Sequence, residues 1–167
     1  MKSRIKCTVF LLALSLIPVC GICQTVQDLC TPEYRFDGKK LVLSNEEWKK
    51  RLTPEQFHIL REGGTELPFN NAYFDNKEKG IYECAGCSLA LYSSETKFDA
   101  GTGWPSFWAP LCLENVTLKK SLNPFASGKE VLCSRCSGHL GDVFDDGPLP
   151  TGKRYCMDSA ALKFISQ

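Results

Sequence analysis

The sequence predicts an antiparallel β domain with two short helices on its N-terminal side. Helical periodicity disappears beyond Pro68, and the runs Gly80 to Glu83, Lys129 to Leu132 and Arg154 to Met157 are separated by Gly, Pro, Asn and Asp clusters, as strands are. Two CxxC pairs each follow a strand-like run. At 167 residues, with 23% charged and 43% hydrophobic side chains, the chain is long enough for one packed core and too apolar to stay disordered. A formal net charge of +1 supplies no basic footprint for nucleic acid.

Residues 1–23 read as a secretory signal peptide: Lys2, Arg4 and Lys6, an apolar run from Val9 to Val19, then Pro18 and Gly21 near the cleavage region. That run is too short for the ~20 residues of a bilayer span, so an exported chain without stable membrane insertion is expected, periplasmic or secreted. A membrane-anchored form is the lesser alternative. So is a lipoprotein acylated at Cys20 or Cys23, because Val19 and Ile22 are bulky beside them. Cleavage removes three cations and no acid, taking the net charge from +1 to −2 and leaving Cys30, Cys84, Cys87, Cys112, Cys133, Cys136 and Cys156. Residues 24–43 lack sustained periodicity and read as a tether to a domain over 44–167.

That domain opens on Ser44-Asn45-Glu46-Glu47, a capping box that predicts a short helix to Leu52. Thr53-Pro54-Glu55-Gln56 repeats the device with proline in the first turn, and Gly63-Gly64 offers a left-handed exit after Glu62. His58 sits in this second helix among Gln56, Arg61 and Glu62, a solvated position.

Cys84-Ala85-Gly86-Cys87 and Cys133-Ser134-Arg135-Cys136 are two knuckles separated by 45 residues. Four thiolates suit one tetrahedral zinc ion, and a closed four-cysteine set leaves no open position, so the zinc is structural rather than catalytic. Two disulfides in an exported protein are the alternative.

Arg154-Tyr155-Cys156-Met157-Asp158 as a strand puts residues 154, 156 and 158 on one face, so a guanidinium and a carboxylate flank a single thiol. A cation there raises the thiolate fraction that a nucleophilic cysteine needs, whereas an inert core cysteine is the plainer reading. The run Thr96 to Trp108 gathers Phe98, Trp104, Phe107 and Trp108 in a stretch too rich in Gly and Pro for a regular element, either an apolar wall or a plug over a barrel end. His139 follows a knuckle by three residues and reads as an acid or base, a spare metal ligand or a structural hydrogen bonder.

Together these runs resemble the B-type methionine sulfoxide reductases, over Leu52 to Phe164. The likeness is carried by Leu52-Thr53-Pro54-Glu55-Gln56-Phe57, Gly64-Thr65-Glu66, both knuckles, Thr96-Lys97-Phe98-Asp99, Gly103-Trp104-Pro105-Ser106-Phe107, His139-Leu140-Gly141, Asp146-Gly147-Pro148, Thr151-Gly152 and Arg154-Tyr155-Cys156. The resemblance implies a mainly β fold of two antiparallel sheets, of the β-tent (Mss4-like) type, with one structural zinc far from the reacting thiol. It implies thiol-dependent reduction of methionine-(R)-sulfoxide in oxidised proteins, with Cys156 attacking the sulfoxide sulfur and becoming a sulfenic acid. His139 is then the donor to the sulfoxide oxygen, Trp104 the wall against the S-methyl group, and Arg154, held by Asp146, the support of the thiolate. A thioredoxin-like donor closes the cycle, and the chain is expected to act as a monomer in protein repair. The rival class is a non-catalytic zinc-ribbon-like module with Trp104, Phe107 and Trp108 as its partner surface.

Three departures from the family pattern matter. Asp142 stands where the commonest motif has a second histidine, and Asp158 where it has asparagine; both add negative charge near Cys156 and raise its pKa unless paired or protonated. Asp142 is therefore a second candidate acid. Thr102 stands where many members carry a resolving cysteine. Cys30, on a mobile tether, is the expected replacement, with Cys112 a buried apolar residue and direct reduction by the external donor as the alternative.

Overall fold

A computed structural model describes residues 29–120 and 128–167 of the chain. The signal-peptide expectation for residues 1–23 lies outside the described residues. Helix α1 (Asn45–Arg51) starts where its capping box requires: Ser44 Oγ accepts the Glu47 amide at 3.3 Å, and the Glu47 carboxylate accepts the Ser44 amide at 2.8 Å. Helix α2 (Pro54–Glu62) repeats this with Thr53 and Gln56, and leaves through Gly63 at φ 70°. At seven and nine residues neither helix is stable alone. They depend on buried Trp48, Phe57, Ile59 and Leu60, each contributing about 1.5–3 kcal/mol by burial.

Nine strands follow among the described residues: β1 (Gly80–Cys84), β2 (Ala90–Ser93), β3 (Lys97–Phe98), β4 (Ser106–Phe107), β5 (Val116–Lys120), β6 (Lys129–Cys133), β7 (His139–Phe144), β8 (Arg154–Met157) and β9 (Leu162–Ser166). They form two antiparallel sheets, β2-β1-β9 and β3-β4-β8-β7-β6-β5. Tyr82 and Tyr92 from the first sheet meet Phe107, Leu140 and Met157 from the second in one core. The Tyr92 and Phe107 rings stack at 4.5 Å, and the Tyr92 hydroxyl donates to Met157 Sδ at 3.0 Å. Helix α2 packs on β7 and on the 3-10 turn Ser159–Ala161.

Three expectations change. Residues 29–43 are not a tether: Leu41 donates its amide to Arg135 O at 2.8 Å, and the buried Asn115 side chain accepts from the Phe36 amide and donates to the carbonyls of Tyr34 and Ala90. Cys30 is disulfide-bonded to Cys112, so it is not a free, mobile thiol. The segment is aperiodic because it is fastened by one buried amide, one covalent bond and the irregularly spaced side chains of Leu29, Tyr34, Phe36, Leu41 and Leu43 packed on the core, rather than by one regular apolar face. The 96–108 run also divides: β3 and β4 are regular, and Phe107 is a fully buried core ring, not part of any partner surface.

Candidate functional site

Strand β8 lies inside the six-stranded sheet, and its alternation directs Tyr155 and Met157 into the core while Arg154 and Cys156 face the other way. Register places Asp142 of β7 opposite Cys156 on one side and Ser106 of β4 opposite it on the other. Gly141, at φ 138°, makes the β7 crossing possible, since a Cβ there would lie 2.2 Å from the Cys156 carbonyl oxygen. Cys156, half-buried, opens into a cavity of about 380 Å³ lined with Trp104, His139, Asp142 and Asp158, and by Gly64 and Thr65 from the α2 exit.

The charges in this cavity are arranged asymmetrically. Asp146 grips Arg154 in a bidentate pair, at 2.9 Å to Nε and 2.8 Å to Nη2, with the guanidinium 4.3 Å above the Phe144 ring. Burial pushes the Cys156 thiol up from its ordinary value, and Thr102, Arg154 and Ser106 pull it partly back. The Arg154 charge favours the thiolate, but desolvation outweighs it. Thr102 Oγ1 lies 3.8 Å from Cys156 Sγ, which puts a hydroxyl beside that sulfur.

His139 Nδ1 lies 3.0 Å from Glu130 Oε1, and Nε2 turns toward Asp158 Oδ2 at 3.8 Å. A carboxylate only accepts, so Glu130 holds the proton on Nδ1 and fixes the ring. Glu130 was not singled out from the sequence: its approach to His139 needs the β6/β7 pairing and the register shift between Val131 and Leu132. Asp158 lies just past β8, and its Oδ1 accepts the Thr65 hydroxyl at 2.8 Å and the Glu66 amide at 3.3 Å. The neighbouring Glu66 carboxylate in turn accepts the amides of Ser159 and Ala160. Asp158 is therefore committed to fastening the α2 exit to the end of β8, a role its sequence position did not reveal. Burial raises the carboxyls of Asp142, Asp158 and Glu66 above the ordinary range. Asp142 makes no comparable set of hydrogen bonds and faces Cys156 across the strands.

The knuckles meet elsewhere in the fold. The Sγ atoms of Cys84, Cys87, Cys133 and Cys136 all lie within 4.8 Å of one another and are buried. Zn–S bonds of ~2.3 Å in a tetrahedron set sulfur–sulfur edges of about 3.8 Å. Cys84–Cys136 at 3.7 Å and Cys87–Cys133 at 3.5 Å fit such an ion. The four cysteines are free thiols, not two disulfides. His139 is not part of this cluster.

Comparison with known proteins matches residues 52–166 to the SelR domain. A protein of Methanosarcina barkeri named peptide methionine sulfoxide reductase MsrB is 56% identical over 129 residues, covering 77% of this chain and 91% of that protein. One of the same name from Leptospira interrogans is 53% identical over 121 residues, covering 72% and 92%. The chloroplastic peptide methionine sulfoxide reductase B1 of Arabidopsis thaliana is 55% identical over 122 residues, covering 72% of this chain and 60% of the plant protein.

Proposed function

The chain belongs to the SelR-domain family, and on that premise we propose that it reduces methionine-(R)-sulfoxide in oxidised proteins at Cys156. It is an oxidoreductase of the peptide methionine sulfoxide reductase class. The observation that carries the assignment of Cys156 is its position: a half-buried thiol in a cavity, facing Asp142, beside Trp104 and near a clamped Arg154.

In the proposed reaction the Cys156 thiolate attacks the sulfoxide sulfur while a proton passes to the sulfoxide oxygen. The oxygen leaves with the cysteine as a sulfenic acid, and methionine departs as the thioether. Asp142 is the better proton source, because its raised carboxyl stays protonated further toward neutral pH and it faces the thiol directly. His139, whose Nδ1 proton is held by Glu130, presents Nε2 beside it, and that nitrogen donates only in the imidazolium, where both ring nitrogens carry protons. Trp104 holds the methyl group, so that methyl and oxygen take inequivalent places and one epimer is selected. Arg154, fixed by Asp146, favours the thiolate.

The cycle then closes without a second cysteine among the described residues. Cys30 and Cys112 are bonded to each other and the other four described thiols are gathered at the knuckles, so we assign sulfenic acid reduction to an external thioredoxin-like dithiol. That donor forms a mixed disulfide with Cys156, releasing water, and its second thiol then frees Cys156. Zinc held by Cys84, Cys87, Cys133 and Cys136 would supply folding free energy and no chemistry. Export is supported by the Cys30–Cys112 bond, since disulfides persist in oxidising compartments. The zinc-ribbon alternative loses Phe107 from its partner surface, since that ring is in the core.

The test is to incubate the protein with a racemic aryl methyl sulfoxide and dithiothreitol and resolve what remains. One enantiomer is expected to disappear and the other to persist. Equal consumption of both, or of neither, overturns the proposal.

A further inference from the structure

A second cavity, of about 430 Å³, lies against Trp104, which also walls the cavity of Cys156. Its apolar part is made by Phe69, Phe74 and Phe98. Phe69 is the unusual member: its ring is 60% exposed and its backbone stands at φ 61°, a conformation that costs a bulky L-residue about 1 kcal/mol or more. The surrounding structure enforces it. Phe69 donates its amide to Gly103 O at 2.9 Å, Asn71 Nδ2 donates to the same oxygen at 2.7 Å, and the Phe69 ring meets Phe74 edge-on at 5.9 Å. The contact leaves no slack, for a Cβ on Gly103 would come within 2.6 Å of the Phe69 nitrogen. An aromatic ring held open to water at this expense, hydrogen-bonded to the residue just before Trp104, is arranged for a ligand. The Trp104 indole Nε1 is buried without a partner among the described residues.

We propose that this cavity is the subsite for the residue neighbouring the oxidised methionine in a protein substrate, and that it takes an aromatic side chain against Phe69 and Phe74. The inference rests on the reductase reading of the adjoining cavity. Adjacent residues of an extended chain are ~3.8 Å apart at Cα, so a chain with its sulfoxide at Cys156 carries its neighbour past the other side of a single indole. A free amino acid fills one cavity and leaves the other empty.

The experiment compares kcat/KM, with dithiothreitol as reductant, for N-acetylmethionine sulfoxide amide and for hexapeptides carrying Phe or Gly immediately before or after the sulfoxide. In the wild type one of the two Phe placements is expected to exceed its Gly counterpart about tenfold, through KM, as burial of one aromatic side chain allows. Phe69→Asn removes the ring with a residue that tolerates the left-handed backbone, and should bring the Phe peptide down to the Gly peptide. Phe74→Leu, at an unconstrained position, should narrow the ratio by a smaller factor; circular dichroism and metal content verify that both variants fold. Equal rates for Phe and Gly peptides at both placements in the wild type overturn the subsite, as does an undiminished preference in both variants. No turnover of the blocked amino acid or of any of the hexapeptides overturns the reductase reading itself, and the subsite with it.

Discussion

The four knuckle cysteines and Cys156 share a side chain and little else. Each knuckle closes on itself: Ser88 and Ser137, at φ 55° and 58°, follow the second cysteine and return their amides to Cys84 O and Cys133 O, both at 2.8 Å. Cys84 and Cys133 complete the turns by donating to Leu89 O and Gly138 O. The backbone amides of these turns are satisfied locally and the thiols are at most 7% exposed, while Arg61 Nε beside them is buried without a partner among the described residues. Cys156 sits in a regular strand, and its surroundings were left incomplete: a buried indole N–H without partner, carboxyls raised by burial, and a cavity. Closed, satisfied geometry suits a sulfur that must hold a metal. Open, unsatisfied geometry suits one that must react.

The largest effects should come from exchanging the two kinds of thiol for serine. Cys136→Ser is expected to lose the metal and the cooperative fold together, because structural zinc contributes roughly 10 kcal/mol or more to folding. Cys156→Ser should keep metal content and melting behaviour and lose at least about a thousandfold in turnover, as nucleophile removal does. Metal analysis, thermal melts and the dithiothreitol assay on both variants read the contrast. A folded, metal-free Cys136→Ser protein or an active Cys156→Ser protein would erase it.

The next effect sharpens the reactive side. Asp142→Asn should lower kcat/KM by about a hundredfold, the usual scale for removing a general acid. The wild type should also lose activity as pH rises through the raised Asp142 carboxyl, and the variant should lack that limb. Stability should move oppositely. A carboxyl raised by folding stabilises the native state below its unfolded pKa, and that contribution disappears as pH climbs through the folded one. The asparagine variant should therefore melt higher than the wild type at neutral pH, and the gain should vanish in acid. A variant with full activity and an unchanged pH profile would leave His139 as the donor.

What was legible in the sequence follows the distance over which each feature is determined. Both helices were readable because Ser44 with Glu47, and Thr53 with Gln56, satisfy each other three residues apart. The knuckles were readable because two cysteines at CxxC spacing already define half a metal site, and the β8 alternation brought Arg154 and Cys156 to one face. Glu130, Asp158 and the 29–43 segment were not, because each acts through a partner far away in the chain: Glu130 across a bulged strand pair, Asp158 on Thr65, and Phe36 on Asn115. The expectation that Cys30 resolves Cys156 failed for the same reason, since nothing near Cys30 in sequence announces Cys112.

That disulfide gives a smaller, separable effect. It closes a loop of 82 residues, so Cys30→Ser with Cys112→Ser should lose about 2–4 kcal/mol of stability in non-reducing melts. One equivalent of sulfoxide should still convert Cys156 to a sulfenic acid that a dimedone-type reagent traps. Mass spectrometry that instead finds Cys156 bonded to Cys30 or Cys112 in the wild type would return those thiols to the cycle.

The smallest expected effect concerns the charge around the metal cluster. Arg61 donates to Cys136 O at 2.9 Å with its guanidinium carbon 4.9 Å from the Trp48 ring centroid, Arg135 donates to Cys87 O at 3.2 Å, and Lys40 donates to Ser134 O. None of these three cations lies within ion-pair distance of a carboxylate among the described residues. Four thiolates around a divalent ion carry a net charge of −2, and burying that charge is costly unless cations stand near it. Three cations on the knuckle carbonyls meet this need, whereas at Cys156 the one nearby guanidinium is already neutralised by Asp146. Arg61→Gln keeps a donor for Cys136 O and removes the charge. It should weaken zinc retention against a competing chelator by about tenfold, the lower end for groups that support metal ligands from outside, with Arg61→Lys recovering part of the loss. If Gln and Lys variants release zinc at the same rate as the wild type, the cations are held there for packing alone, and the contrast between the two sulfur sites reduces to geometry.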